Sequence, residues 1–318
     1  MQAVQPKIKT AHDTDTDLMR IIASFFVVLI HASTAEGVGL AYNALARFSV
    51  PVFVLISGYY LLRRPTAGNR IARRIGFLVG IHILWSVLYY VFYRLIGDLP
   101  RGNAGGVIRY LLTQPTHLWY LYALTGLYAL TPLLHLGLNA LNPTGHKAVL
   151  TVIGLIQLKT VVQTFLPAEL DVYLELDLLN RLNFFDGNLA TFVLGWYLGR
   201  WERKLPKGAL LGGMAALLAV IAGGTWYHKI HLGYYAQYFH NQQTGWMILL
   251  AALLFLYAKQ NWHKPVGLSS AVPLTLGIYL MQSLLLEVLL AFGLTVNTFW
   301  DTLWVSALVL VLCWLALK

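Results

Sequence analysis

Residues 17–33 read DLMRIIASFFVVLIHAS, and this stretch decides the fold. From Leu18 onward it is oily enough and long enough to cross a bilayer as a helix. Arg20, Ser24 and His31 interrupt the oil. A helix turns about 100° per residue, so eleven residues bring His31 back to within about 20° of Arg20. Asp17 and Ser24 fall near the same face. The spacing predicts one polar line down an otherwise apolar helix, with His31 roughly 16 Å beyond Arg20 along the axis. Ionisable groups inside a membrane are costly, and they usually face a cavity or the bundle interior.

The rest of the chain matches this opening. Of its 318 residues, 58% are hydrophobic and 11% are charged, against roughly a quarter charged in soluble domains. Ten apolar stretches are expected to span: approximately 18–34, 41–62, 74–96, 117–139, 147–166, 183–200, 208–227, 244–259, 272–292 and 298–317. The expected fold is an all-α, polytopic membrane bundle of about ten helices. It forms a single transmembrane domain, 17–318, behind a polar tail, 1–16. The acidic residues of that tail, Asp13 and Asp15, with Asp17 beyond it, argue against a cleaved leader.

The net charge of +10 would suggest nucleic acid in a soluble protein. Here the basic residues lie in short loops, where they orient the chain, so no nucleic-acid partner is expected. With the N-terminus inside, sixteen of the 23 Lys and Arg fall on cytoplasmic segments, which puts both termini in the cytoplasm. The loop carrying Glu169, Asp171, Glu175 and Asp177 falls outside. Cys313 is the single cysteine and has no expected role. His228, His231 and His240 share an outer loop without metal-ligand spacing, and no metal is expected.

Further stretches carry a family resemblance. RFSVPVFVLISGYYLLRR (47–64), HLWYLYALTGLYALTPLL (117–134), FFDGNLATFVLGWYLGR (184–200) and LTLGIYLMQSLLLEVLL (274–290) follow the opening motif in order. Together with Arg20-x10-His31 they resemble the membrane acyltransferase-3 family, and within it the O-acetyltransferases that decorate surface polysaccharides. Where relatives often carry a His in the ninth span, this chain has Gln282, which cannot titrate.

The resemblance implies an O-acyltransferase of the bacterial inner membrane. It would move an acetyl group from cytoplasmic acetyl-CoA to a hydroxyl of a surface glycan or lipid-linked saccharide. His31 would be general base or transient acyl carrier, with Arg20 and Asp17 beside it. Arg70, Arg73 and Arg74, near Arg63 and Arg64, would hold the donor's phosphates, with Ser57 on the donor as well. Arg47, His117, Trp119, Tyr120, Lys159 and Gln282 would surround the acceptor.

Each residue also has a plainer reading. Arg20 can anchor at the interface, the arginine cluster can merely fix topology, and Ser57-Gly58 can be small-residue packing. Trp119 and Tyr120 can belong to an aromatic belt, and Lys159 can snorkel. A transporter or flippase for a glycan is the rival function. It needs a polar path but no thioester site. Oligomeric state is not legible.

Overall fold

The computed structural model describes residues 14–33, 37–97, 104–113, 116–165, 187–232, 239–262 and 269–318. The acidic loop of Glu169, Asp171, Glu175 and Asp177 lies outside these residues, as does the tail before Thr14. Among the described residues every regular element is helical. The first six α-helices are α1 (Thr14–Ala32), α2 (Gly37–Ala46), α3 (Ser49–Leu61), α4 (Gly68–Leu95), α5 (Ala104–Thr113) and α6 (Trp119–Ala140). Then come α7 (Pro143–Gln163), α8 (Gly187–Gly199), α9 (Lys207–Leu232), α10 (Gly245–Asn261), α11 (Leu274–Ala291) and α12 (Phe299–Leu317).

A helix lies at each of the ten expected places. Among the described residues seven spans are long and apolar enough to cross a membrane: Gly39–Leu61, Gly68–Leu95, Trp119–Ala140, Pro143–Gln163, Lys207–His231, Leu274–Ala291 and Trp300–Leu317. At three of the ten expected places the helix falls short of that standard. α1 carries Asp15, Asp17 and Arg20, α8 has 13 residues, and α10 has 17.

Packing explains the difference. α1 touches α2, α3, α10, α11 and α12, while α8 touches α3, α6, α7 and α10. Helices surrounded by protein need neither full length nor a continuous oily surface. Helices on the outside do. α4 exposes Phe77, Ile83, Leu84 and Leu95, α7 exposes Leu155 and Leu158, and α9 exposes Trp226 and Ile230. Side chains of that size and number are stable outside only against lipid.

Local chemistry sets the ends. Asn142 caps α7 by accepting from Gly145 N at 2.8 Å, with Pro143 as first helical residue. Thr298 and Asp301 form a capping box at α12. The break between α2 and α3 falls at Arg47–Phe48. Pro51 lies four residues beyond Arg47, so it has no N–H for the Arg47 carbonyl and its ring crowds that carbonyl.

Two glycines let α3 and α8 meet backbone to backbone. A Cβ on Gly58 would lie 1.8 Å from the Phe192 carbonyl oxygen, and one on Gly195 would lie 2.1 Å from that of Leu55. Small residues at a helix crossing are the usual means of close association in lipid, where burying oil between helices gains little. Gly58→Ala is therefore expected to push α3 off α8 and cost about 1–3 kcal/mol or more. Thermal unfolding in detergent measures it. Gly126→Ala, whose Cβ meets nothing within 4 Å, should unfold like the parent protein. Equal melting of the two variants would refute the packing account.

Candidate functional site

A cavity of about 670 Å³ opens between α1, α3, α6 and α11, within the size range of small-molecule sites. His31 lines it from α1, with Arg47 at the α2–α3 break and Phe53 and Ser57 from α3. His117 lines it from the 3-10 turn before α6, Trp119, Tyr120 and Tyr128 from α6, Tyr279 from α11, and Gln242 from the turn before α10. Six of the expected site residues thus meet in one space: His31, Arg47, Ser57, His117, Trp119 and Tyr120. Asp17, Arg20, Arg70, Arg73, Arg74, Lys159 and Gln282 are not among the lining residues.

One end of the cavity is built from imidazoles and phenols. The rings of His31 and His117 stand edge to face, centroids 5.9 Å apart. Tyr89 and Tyr279 flank His117 at 4.8 and 6.3 Å. The Tyr279 hydroxyl donates to the His117 carbonyl at 2.5 Å, so α11 holds the turn that carries His117. Nε2 of His117 is buried and has no hydrogen-bond partner among the described residues. Tyr89 is fully buried. Its hydroxyl sits within a rung of α11, accepting from Leu284 N at 2.8 Å and donating to Leu280 O at 3.2 Å.

Arg47 belongs to the same end. Its Nε donates to Asn43 Oδ1 at 2.8 Å, and its Nη1 donates to Gln242 Oε1 at 3.1 Å. Asn43 in turn donates to the Ile30 carbonyl at 3.0 Å, one residue before His31.

The opposite end carries cations behind its aromatic lining. The Arg74 guanidinium lies over the ring of Tyr128, 5.7 Å from its centroid. Arg20 lies over Tyr60 at 5.1 Å and pairs with Asp17 at 3.5 Å. Tyr60 also shares a hydrogen bond with Thr16 at 2.7 Å. Arg70 and Arg73 are exposed on the first turns of α4. The polar line drawn along α1 therefore divides. Its His31 end enters the cavity, and its Asp17–Arg20 end lies behind the wall.

Other expected residues do other work. The Ser24 hydroxyl donates back to the Arg20 carbonyl at 2.9 Å, a local bond to its own helix. Gly58 makes the tight helix crossing, while Ser57 faces the cavity and donates to Phe53 O at 2.8 Å. Gln282 is buried and donates to Ser283 Oγ at 2.8 Å. Beside Lys159 the polar residues hold α7 to α10: Thr160 accepts from Gly245 N at 2.8 Å, and Thr164 accepts from Trp246 Nε1 at 3.3 Å. His240 is buried against Thr225, with Nδ1 3.2 Å from its hydroxyl. Cys313 packs with Val305 and Val309 in the apolar core.

Sequence reasoning missed Gln242, Asn43, Tyr89, Tyr128 and Tyr279. Tyr279 lay inside a quoted motif and Tyr128 in another. Gln242 sits in a short polar turn whose only signal is its contact with Arg47, 195 residues away.

The acyltransferase domain model of the acyltransferase-3 family matches residues 13–318. The chain belongs to that family of membrane acyltransferases. No curated protein and no solved structure matches it.

Replacing Tyr89 by Phe removes both hydrogen bonds from a fully buried position. The expected loss is about 1–3 kcal/mol of stability, together with slower turnover as the His117 turn loosens. Unfolding and initial-rate measurements check both. A Tyr89→Phe protein with parental melting and rate would show the rung contact to be idle.

Proposed function

We propose that the chain is an O-acetyltransferase of the bacterial inner membrane that uses cytoplasmic acetyl-CoA and modifies a surface glycan or lipid-linked saccharide. It crosses the membrane about ten times, the three short or charged helices included, with both termini inside. The observation that carries this reading is the two-ended cavity: an imidazole pair at one end, and arginines behind the other. The family membership supports the acyl transfer.

The donor's nucleotide stays at the inner surface, against Arg70, Arg73 and Arg74. Guanidinium groups suit this because they bind phosphate oxygens in pairs. The thin pantetheine arm runs past Tyr128 and Ser57 toward His31. The depth it must cover is roughly 16 Å, the rise from Arg20 to His31 on α1.

Chemistry follows at His31. The imidazole takes the proton from the acceptor hydroxyl while that oxygen attacks the thioester carbonyl carbon. The carbonyl electrons move onto oxygen, then return and expel the sulfur. The C–S bond breaks, and the thiolate leaves with the proton that His31 had taken. Tyr120 is the near O–H donor for the transient oxyanion, and Ser57 joins it by turning its hydroxyl away from the Phe53 carbonyl. If His31 instead accepts the acyl group, rapid quenching will trap an acetylated enzyme.

Two variants test the division of labour. His31→Ala should abolish acetyl transfer to a membrane glycan while still binding acetyl-CoA. Arg74→Ala should raise the apparent KM for acetyl-CoA by about tenfold, the effect of one lost charged hydrogen bond, and leave kcat nearly as it was. Label transfer that survives His31→Ala removes His31 from the chemistry. Absence of acetyl-CoA binding in every form points to the transporter instead.

A further inference from the structure

Arg47 brings a full positive charge to the cavity wall, and among the described residues no carboxylate answers it. Both of its hydrogen-bond partners, Asn43 and Gln242, are neutral amides. Among the described residues that line the cavity there is no Asp or Glu. Among the described residues the titratable side chains that feel its charge are the imidazoles of His31 and His240, not acids. The pair Asp17–Arg20 lies behind the other end. A guanidinium does not deprotonate in proteins, so it cannot escape its charge. Inside a membrane bundle such a charge is costly until an anion meets it.

The two amides do more than accompany Arg47. They engage Nε and one Nη, which fixes the plane of the group and leaves the remaining N–H donors for a ligand. Arg47 stands at the break that Pro51 favours, and its side chain lines the cavity. The arrangement is a preset clamp waiting for a planar or tetrahedral oxyanion.

The donor does not supply that anion at this end. Its phosphates belong with Arg74 at the opposite end, and its acyl-pantetheine tip is neutral. The negative charge must come with the second substrate. We propose that Arg47, oriented by Asn43 and Gln242, binds a phosphate or carboxylate carried by the acceptor, and so selects anionic acceptors over neutral ones. This rests on reading the cavity as the acyl-transfer site. The shared chemistry has two sources: the diphosphate of a lipid-linked saccharide, or the carboxylate of an acidic sugar.

Two matched probe pairs distinguish them on the detergent-purified, full-length protein. One pair is farnesyl diphosphate against farnesol; the other is methyl glucuronide against methyl glucoside. The expected result is thermal stabilisation by one anionic member and none by its neutral partner, with the responding pair naming the source. Arg47→Met should weaken that binding by at least about tenfold. Gln242→Leu keeps the charge but frees the clamp, and should weaken it by a smaller factor. It also covers the case in which Arg47→Met does not fold. The proposal fails if a neutral partner binds as well as its anion, if Arg47→Met keeps parental affinity, or if neither anionic probe binds. Acetyl-CoA binding is measured on the same samples. Its absence in the parent protein would sink the donor reading while leaving the anion result to stand.

Discussion

Backbone contact between α3 and α8 is the constraint on which the rest depends. In lipid there is little to gain by hiding oil from oil, so helices associate through close approach and internal polar bonds. Gly58 and Gly195 supply the close approach. α3 is thereby held as a rigid interior post. It presents Ser57 and Phe53 to the cavity on one side and touches α1, which carries His31, on another. A side chain at either glycine would move the post, and with it the distance between the cavity's walls.

The same economy governs where polar groups sit. Outer helices spend their surfaces on lipid and are apolar for most of their length. The polar residues gather where protein surrounds them: Tyr89 in a rung of α11, Tyr279 on the His117 carbonyl, Asn43 and Gln242 on Arg47. These bonds satisfy groups that lipid cannot, and they also aim the rings and cations at one shared space. Stability and site geometry come from the same set of contacts.

Charge is distributed unequally along that space. Arg20 has Asp17 as its counter-ion, and Arg74 is exposed on the first turns of α4. Among the described residues Arg47 has only the amides of Asn43 and Gln242. A paired or solvated arginine has its charge answered already, whereas on the proposed reading the arginine between amides is completed by an anionic substrate. The cavity therefore has a resting end and an expectant end, with His31 and His117 at the expectant one.

Much of this was legible in the chain itself. Apolar length placed the helices, because lipid accepts no other exposed backbone. The Arg20-x10-His31 spacing showed that one face of α1 was polar, and the motif order named the family. Asn142-Pro143 and Pro51 marked their turn and break, since proline and caps act locally. What periodicity along α1 had no means to show was that the polar line divides, with His31 in the cavity and Arg20 behind it. Nor did it show that Arg47 would be clamped by a glutamine 195 positions away, or that Gln282 would turn aside to Ser283. Those outcomes depend on which helix stands beside which, and helices in lipid choose neighbours by shape at a few small residues, a property of pairs of surfaces and not of any one stretch of sequence.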